Sequence, residues 1–199
     1  SPRLPQRAGG GTEGQTAHIN VVDKDRNMVS LTSTLGGMFG SAVVVPGTGI
    51  LLNNAAMWFD PLPGAVTSMA PRKRLLGAAS SILVMLDDQP LVAMGSPGAR
   101  RVISAVALSL LNLLQFKMPI QAAIEAPRVH SEGRAASVSA RFPSSTLDGL
   151  RALGHELTVV DDNLGNHFFA RPSGIVIDPT TGDMHAGVFQ FSPATAVGL

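Results

Sequence analysis

The chain has no cysteine among its 199 residues. Disulfides and thiolate metal sites are therefore excluded, while the compartment stays open, because oxidising and reducing surroundings both tolerate such a chain. Charge imbalance is missing too: fifteen Lys and Arg stand against fourteen Asp and Glu, a formal charge of +1. That is far from the basic footprint that neutralises a phosphate backbone, so nucleic acid is not an expected partner. No apolar run is long. The most apolar stretch, Val102 to Phe116, follows Arg100 and Arg101 and is broken by Ser104, Ser109 and Asn112. It falls short of the roughly 20 residues of a membrane span and reads as a buried helix. The sequence also lacks a zinc-type histidine pair, a Gly-x-Ser-x-Gly elbow and a phosphate-binding glycine loop with its lysine. The five histidines, His18, His130, His155, His167 and His185, are scattered, and neither a metal nor a cofactor is expected.

What is present is a chain that is 45% hydrophobic with 21 glycines and 14 prolines, able to bury one ordinary core between many turns. One domain is expected. Residues 1–15 contain Pro2, Pro5 and Gly9-Gly10-Gly11 without an apolar core, and read as a flexible leader. From Thr16 the texture changes. His18 to Val22 and Met28 to Thr34 alternate polar and apolar about the turn Asp23 to Asn27, which predicts a hairpin. Ala42 to Val45 and Ile50 to Leu52 read as short buried strands. Ile82 to Leu86 and Leu91 to Met94 form another hairpin about Asp87 to Pro90, running into the turn Gly95-Ser96-Pro97-Gly98-Ala99. Val102, Ile103, Val106, Ala107, Leu110, Leu111 and Leu114 have helical spacing, and a second helix follows from Pro119 to Ala126 before Pro127. Ser145 to Leu153 predicts a short helix, Leu157 to Val160 a strand, and Gly174 to Asp178 with Met184 to Val188 a hairpin. The class is α+β, with an antiparallel sheet covered by helices on one side. Its other face needs burial against something else, so the chain reads as half of a larger molecule.

The chemistry sits at the junction of leader and first strand, Gly14-Gln15-Thr16-Ala17-His18-Ile19-Asn20. This run resembles the start of the gamma-glutamyltranspeptidase small subunit, where a Thr-Thr-His segment opens the first strand. The likeness continues through Phe39-Gly40, Val45-Pro46-Gly47-Thr48-Gly49-Ile50-Leu51-Leu52-Asn53-Asn54, Ala70-Pro71-Arg72-Lys73-Arg74, Gly95-Ser96-Pro97-Gly98 and Glu125-Ala126-Pro127-Arg128. It implies the N-terminal-nucleophile hydrolase fold, a four-layer αββα sandwich of which residues 16–199 supply the small-subunit half. It further implies self-cleavage between Gln15 and Thr16, Thr16 as nucleophile with its freed α-amine as base, and Thr34 beside it. The backbone N–H groups of Gly98 and Ala99 would form the oxyanion hole. The partner implied is a large subunit from the same precursor, which would also supply an arginine of the pocket. Many members act outside the cytoplasm, so the resemblance points to secretion, which the residues themselves do not fix.

The departures fall on the substrate pocket. Ala17 replaces the second threonine, and Gly36 stands where the family has an asparagine that holds the glutamyl head. Ala55 and Trp58 occupy the positions of a glutamine or glutamate and of the aspartate that pairs with the substrate ammonium. Gly77 and Ala78 replace a serine pair, and Ala99 replaces the second glycine of the oxyanion turn. Each change is toward a smaller or more apolar residue. An ammonium buried without a counter-charge costs several kcal/mol, so an acyl amide other than a charged γ-glutamyl compound is the expected small-molecule substrate. Around Gly37-Met38-Phe39-Gly40, Phe59-Asp60-Pro61 and Pro63-Gly64 the chain is similar to the transpeptidase-like cephalosporin acylases. Asp60 could be a displaced partner for an ammonium, but beside Pro61 it reads as a turn residue. The competing reading is an uncleaved relative that binds without catalysing, and the state of the Gln15–Thr16 bond separates the two.

Overall fold

The structure is a computed structural model that describes residues 16–77, 79–133, 135–163, 166 and 168–198. The expected leader, including Gln15, and the residues Ala78 and His167 lie outside these. The described residues fall into two compact units, Thr16 with Thr34–Gly77, and Ala17–Ser33 with the described residues from 79 onward.

The first unit is built mostly of turns. Ala42 to Val45 and Ile50 to Leu52 are not the buried strands expected from their apolar content. They pair briefly around one bridge, Val44 with Leu51, with the Val45 N–H donating to the Ile50 carbonyl and the Leu52 N–H to the Val43 carbonyl, both at 2.9 Å, and Val43, Val44, Ile50 and Leu52 are exposed. Gly47 and Gly49, both at positive φ, turn the chain back after a few residues, which leaves too short a run to build a ladder. A second bridge joins Asp60 to Ser68, and a single 3₁₀ turn spans Ala55–Trp58.

In the second unit, β1 (Thr16–Val22) and β2 (Met28–Thr34) pair as a two-stranded sheet. A four-stranded antiparallel sheet follows in the order β3 (Ile82–Leu86), β4 (Gln89–Gly95), β8 (Ser173–Ile177), β9 (Met184–Val188). Helices α1 (Val102–Leu114) and α2 (Ile120–Glu125) cover it. The core lies between them, where Val92, Met94, Val106, Ile120, Ile124 and Phe189 pack together. Gln121 fastens α2 to β9, accepting the Val188 N–H at 3.0 Å and donating to its carbonyl at 2.8 Å. Helix α1 is less buried than its composition suggests: Val102, Ala105, Val106 and Ser109 face inward, while Ile103, Leu111 and nearby Phe116 are exposed. Among the described residues no helix is long and apolar enough to cross a membrane.

A third sheet, β5 (Val129–Ser131), β6 (Ala136–Ser139) and β7 (Leu157–Val160), carries α3 (Ser144–Ala152). β6 and β7 run parallel, a departure from the all-antiparallel expectation that the intervening α3 makes possible. Beside it Arg128, 2% exposed, lies over the Phe189 ring at 4.3 Å. Burial pushes its guanidinium down to about 10, with Asp162 opposing that shift and Arg141 adding to it.

The hairpin β1–β2 is oriented against ordinary patterning. Its apolar side chains Ile19, Val21, Val29 and Leu31 point outward and are about half exposed. Its polar ones face the sheet: Ser30 Oγ donates to the Met94 carbonyl at 3.0 Å, and Asn20 Nδ2 donates to the Ser173 carbonyl at 3.0 Å. His18 sits at the centre, where a Cβ on Gly95 would collide with its ring. Since Asn20 spends its Nδ2 on Ser173, its Oδ1 meets His18 Nε2 at 3.0 Å, so Nε2 carries the proton and Nδ1 accepts from Thr32 Oγ1 at 2.8 Å. Burial holds the His18 imidazole below its ordinary value of 6.5, against the opposing pull of the Asn20 bond. The unfolded chain therefore takes up a proton at His18 that the folded chain resists. Stability present above about pH 6.5 falls as the pH drops below it. Thermal melts should move to lower temperature from about pH 7 to pH 5, and His18→Gln should flatten that dependence. An equal slope in wild type and variant would remove His18 as its source.

Candidate active site

The alternation of β1 places Thr16 on the same face as His18 and Asn20. Within the first unit its Oγ1 lies 2.8 Å from Thr34 Oγ1. Thr34 Oγ1 also accepts the Gly36 N–H at 2.9 Å. The hydroxyl pair is thus held at the base of the loop that carries Gly36, and two of the expected residues, Thr16 and Thr34, are in contact.

The expected pocket residues Gly36, Ala55, Trp58 and Gly77 belong to this same unit. Gly36 has φ +83°, and a Cβ there would collide with Asn54 Oδ1. Asn54 is held firmly: its N–H donates to the Leu35 carbonyl at 3.0 Å and its Oδ1 accepts the Gly37 N–H at 2.9 Å. Gly77 is different. It is exposed, and a Cβ there would meet only Leu75 Cδ1, at 3.9 Å. Ala55 opens the 3₁₀ turn, its N–H bound by Asn53 Oδ1 at 2.9 Å, and half-buried Trp58 closes it. Asp60 behaves as the turn residue expected, accepting the Leu62 N–H at 2.9 Å. It lines an open groove of about 400 Å³ with Met57, Phe59, Pro61, Pro63 and Met69. Sequence reasoning passes over Asn54. The available signal was only a pair of asparagines, Asn53-Asn54, directly before the pocket segment.

Gly98 and Ala99 lie in the second unit. Ser96 is fully buried; its hydroxyl donates to the Pro97 carbonyl at 2.7 Å and accepts the Arg171 N–H at 3.0 Å, fastening the turn. Gly98 has φ 141°, and a Cβ on it would collide with Ala170. Among the described residues neither the Gly98 nor the Ala99 N–H donates to another protein group, which leaves two amide donors side by side. Just beyond, Arg100 pairs with Glu132 at 3.0 Å, and Glu132 accepts from His130 at 3.1 Å. Arg101 lies over the Phe168 ring at 3.9 Å.

The sequence profile described as "Gamma-glutamyltranspeptidase" matches residues 5–188. The chain is 36% identical over 148 residues to the Acylase ACY 1 proenzyme of Pseudomonas sp. (strain SE83), covering 74% of this chain and 26% of that protein. It is 34% identical over 191 residues to the Glutathione hydrolase proenzyme of Bacillus subtilis, covering 94% of this chain and 31% of that one. The chain therefore spans about a quarter to a third of these curated relatives. Among solved structures it resembles a highly active tryptophan-to-aspartate mutant of gamma-glutamyltranspeptidase from Pseudomonas nitroreducens, at 27% identity and a TM-score of 0.75, over 92% of this chain and 98% of that one.

Ala99 has φ 53°, a left-handed conformation that costs an alanine about 1–2 kcal/mol and a glycine little. Ala99→Gly should raise the free energy of unfolding by about 1 kcal/mol in a denaturant titration, after the larger entropy of the unfolded glycine is allowed for. A loss of similar size would show that the alanine is not strained.

Proposed function

The chain belongs to the gamma-glutamyltranspeptidase family, and we propose that it is the catalytic part of an autoprocessed N-terminal-threonine amidohydrolase. Its α+β fold is that of the N-terminal-nucleophile hydrolases in this family. The observation that carries the proposal is the 2.8 Å contact of Thr16 Oγ1 with Thr34 Oγ1 at the start of β1.

In the processing step Thr16 Oγ1 attacks the Gln15 carbonyl, the C–N bond breaks, and the acyl group moves to oxygen as an ester. Water then hydrolyses the ester, leaving a carboxylate on Gln15 and a free α-amine on Thr16. A threonine hydroxyl is a weak nucleophile without a base. An α-amine with a pKa of about 7.7–8.0 can take its proton near neutrality. In turnover Thr16 Oγ1 attacks the substrate amide carbonyl and the amine accepts the hydroxyl proton. The resemblance assigns the oxyanion to the Gly98 and Ala99 amides, a role worth roughly 3–4 kcal/mol per donor. The leaving amine departs with that proton, and water or an acceptor amine releases the acyl group from Thr16. Thr34 Oγ1, which accepts the Gly36 N–H, lies within hydrogen-bond distance of Thr16 Oγ1 and holds it for attack.

The acyl group we infer lacks a charged ammonium. Ala55, Trp58 and Gly77 offer it no carboxylate, and Ala78, the remaining pocket position, lies outside the described residues. The outward apolar face of β1–β2 is where we place the missing large subunit, since Ile19, Val21, Val29 and Leu31 remain half exposed without it.

Incubating the full-length protein near neutral pH should yield a new chain beginning at Thr16, seen by intact mass and N-terminal sequencing, and Thr16→Ala should abolish it. One uncleaved chain in both samples would turn the reading to a non-catalytic relative. Trp58 stands where the resemblance puts the aspartate that pairs with the substrate ammonium, so an aspartate there would restore a counter-charge. Trp58→Asp should then raise kcat/KM for γ-glutamyl-p-nitroanilide by about tenfold or more, ~1.4 kcal/mol of transition-state binding. No gain would remove Trp58 from the pocket.

A further inference from the structure

Away from Thr16, a second set of reactive side chains lies where β5 meets α1. β5 buries one residue, His130, to 8% exposure. Its ring Nδ1 lies 2.9 Å from Oγ of Ser104, which is half-buried in the first turn of α1. Its Nε2 lies 3.1 Å from Oε1 of Glu132, just past the end of β5. The other Glu132 oxygen, Oε2, accepts from Arg100 at 3.0 Å. A serine, a histidine and a glutamate are thus hydrogen-bonded in series.

Glu132 fixes where the protons sit. Burial alone would raise its carboxyl, but the bonds from His130 and Arg100 hold it below the ordinary carboxylate value. Near neutrality it is ionised and only accepts. A neutral His130 therefore carries its proton on Nε2 and offers Nδ1 as acceptor, and the Ser104 hydroxyl is the donor opposite it. A weak nucleophile is bonded to a base, and the base is oriented by a third group. The two ring nitrogens are used in the reverse sense to the serine-protease triad, with the same path for the proton. Arg100 stands four residues before Ser104, about one helical turn, and its side chain is 58% exposed. Only its Nη1 is bonded to Glu132, so the rest of the guanidinium fork is left to face an oxyanion.

We propose that Ser104 is a second nucleophilic hydroxyl of this protein, activated by His130, and that it takes the acyl group of small activated esters. The site is independent of Thr16. Ser104 Oγ bonds to the ester carbonyl carbon while its proton passes to His130 Nδ1, giving an imidazolium whose Nε2–H stays on the Glu132 carboxylate. The carbon–oxygen bond to the leaving group breaks, and the proton departs with the phenol. Water then hydrolyses the acyl-serine, releasing a carboxylic acid and restoring the hydroxyl. Glu132 is a positioning residue, acting through the ring. The mobile Arg100 side chain replaces the fixed amide donors that cleavage of an unactivated amide draws on, so esters with a phenol-like leaving group are the class that fits.

The test uses the full-length protein, as wild type and as Thr16→Ala, with p-nitrophenyl acetate and with a fluorophosphonate, which bonds serine oxygen to phosphorus as fluoride leaves. Peptide mapping should find the adduct on Ser104 in both proteins and not on the exposed serines Ser144 and Ser145. Release of p-nitrophenol should persist in Thr16→Ala and be lost when Ser104→Ala is added. His130→Gln should slow labelling of Ser104 by about a hundredfold, the lower end of what a positioned base supplies. Glu132→Gln keeps an oxygen for the Nε2 proton and loses only the charge. It should slow labelling by about tenfold or more with Tm unchanged, a split that a merely structural bond would not give. An unlabelled Ser104, labelling no faster than at Ser144, or a rate unmoved by His130→Gln overturns the proposal. If His130→Gln does not fold, Glu132→Gln decides, and an unchanged labelling rate there rejects it.

Discussion

The packing of the second unit depends on a polar interlock between the hairpin β1–β2 and strands β4 and β8. His18, Asn20, Ser30 and Thr32 form one connected set of hydrogen bonds that reaches Met94, Ser173 and Ser81. Each group buried in this layer is satisfied by its neighbour, as burial of polar atoms demands. Because side chains alternate along a strand, committing the polar residues inward sends the apolar ones outward. One choice of register therefore fixes two properties: a half-exposed apolar face, and the side of β1 on which Thr16 stands. A close-packed glycine is part of the same choice, since the His18 ring takes the space that any side chain at Gly95 would need.

Most regular elements were legible in the sequence because their patterns are long and bounded by strong turn residues. Helix α1 carries apolar residues at helical spacing, and Gly154, at φ +88°, ends α3 where a left-handed residue is expected. The strands β5 and β6 were not legible: they are three and four residues long, and their histidine and serines give no periodic apolar signal. The apolar stretch around Val43 to Leu52 failed in the opposite way. Hydrophobicity there suggested burial, whereas the chain reverses within a few residues and leaves these side chains exposed. Composition gives the tendency to be buried, but only a partner surface can supply the burial.

The site was legible to different depths. Thr16 and Thr34 were expected as neighbours and are in contact. The losses at positions 36, 55, 58 and 77 could be read as changes of residue type, but the sequence could not say which of them leave a vacant site. Gly77 has room for a side chain; at Gly36 a Cβ would meet Asn54 Oδ1 unless that side chain shifts. Two glycines that look alike in the sequence thus have different surroundings. The difference comes from a residue eighteen positions further along, folded back by a bond to Leu35 and a bond from Gly37.

The same economy of groups bears on the base. Among the described residues, the side-chain partner of Thr16 Oγ1 is the Thr34 hydroxyl, which titrates far above neutrality and cannot hold a proton for the leaving group. No carboxylate or imidazole is bonded to Thr16 there; His18, on the same strand face, is spent on Thr32 and Asn20. In the proposed reaction the base is the backbone nitrogen of Thr16 itself. While the peptide bond to Gln15 is intact, that nitrogen is an amide without a basic lone pair. Once the bond is cut it becomes an amine with a pKa of about 7.7–8.0. In the proposed reaction, cleavage is therefore the event that creates the base, and processing and catalysis draw on one hydroxyl oriented by one hydrogen bond.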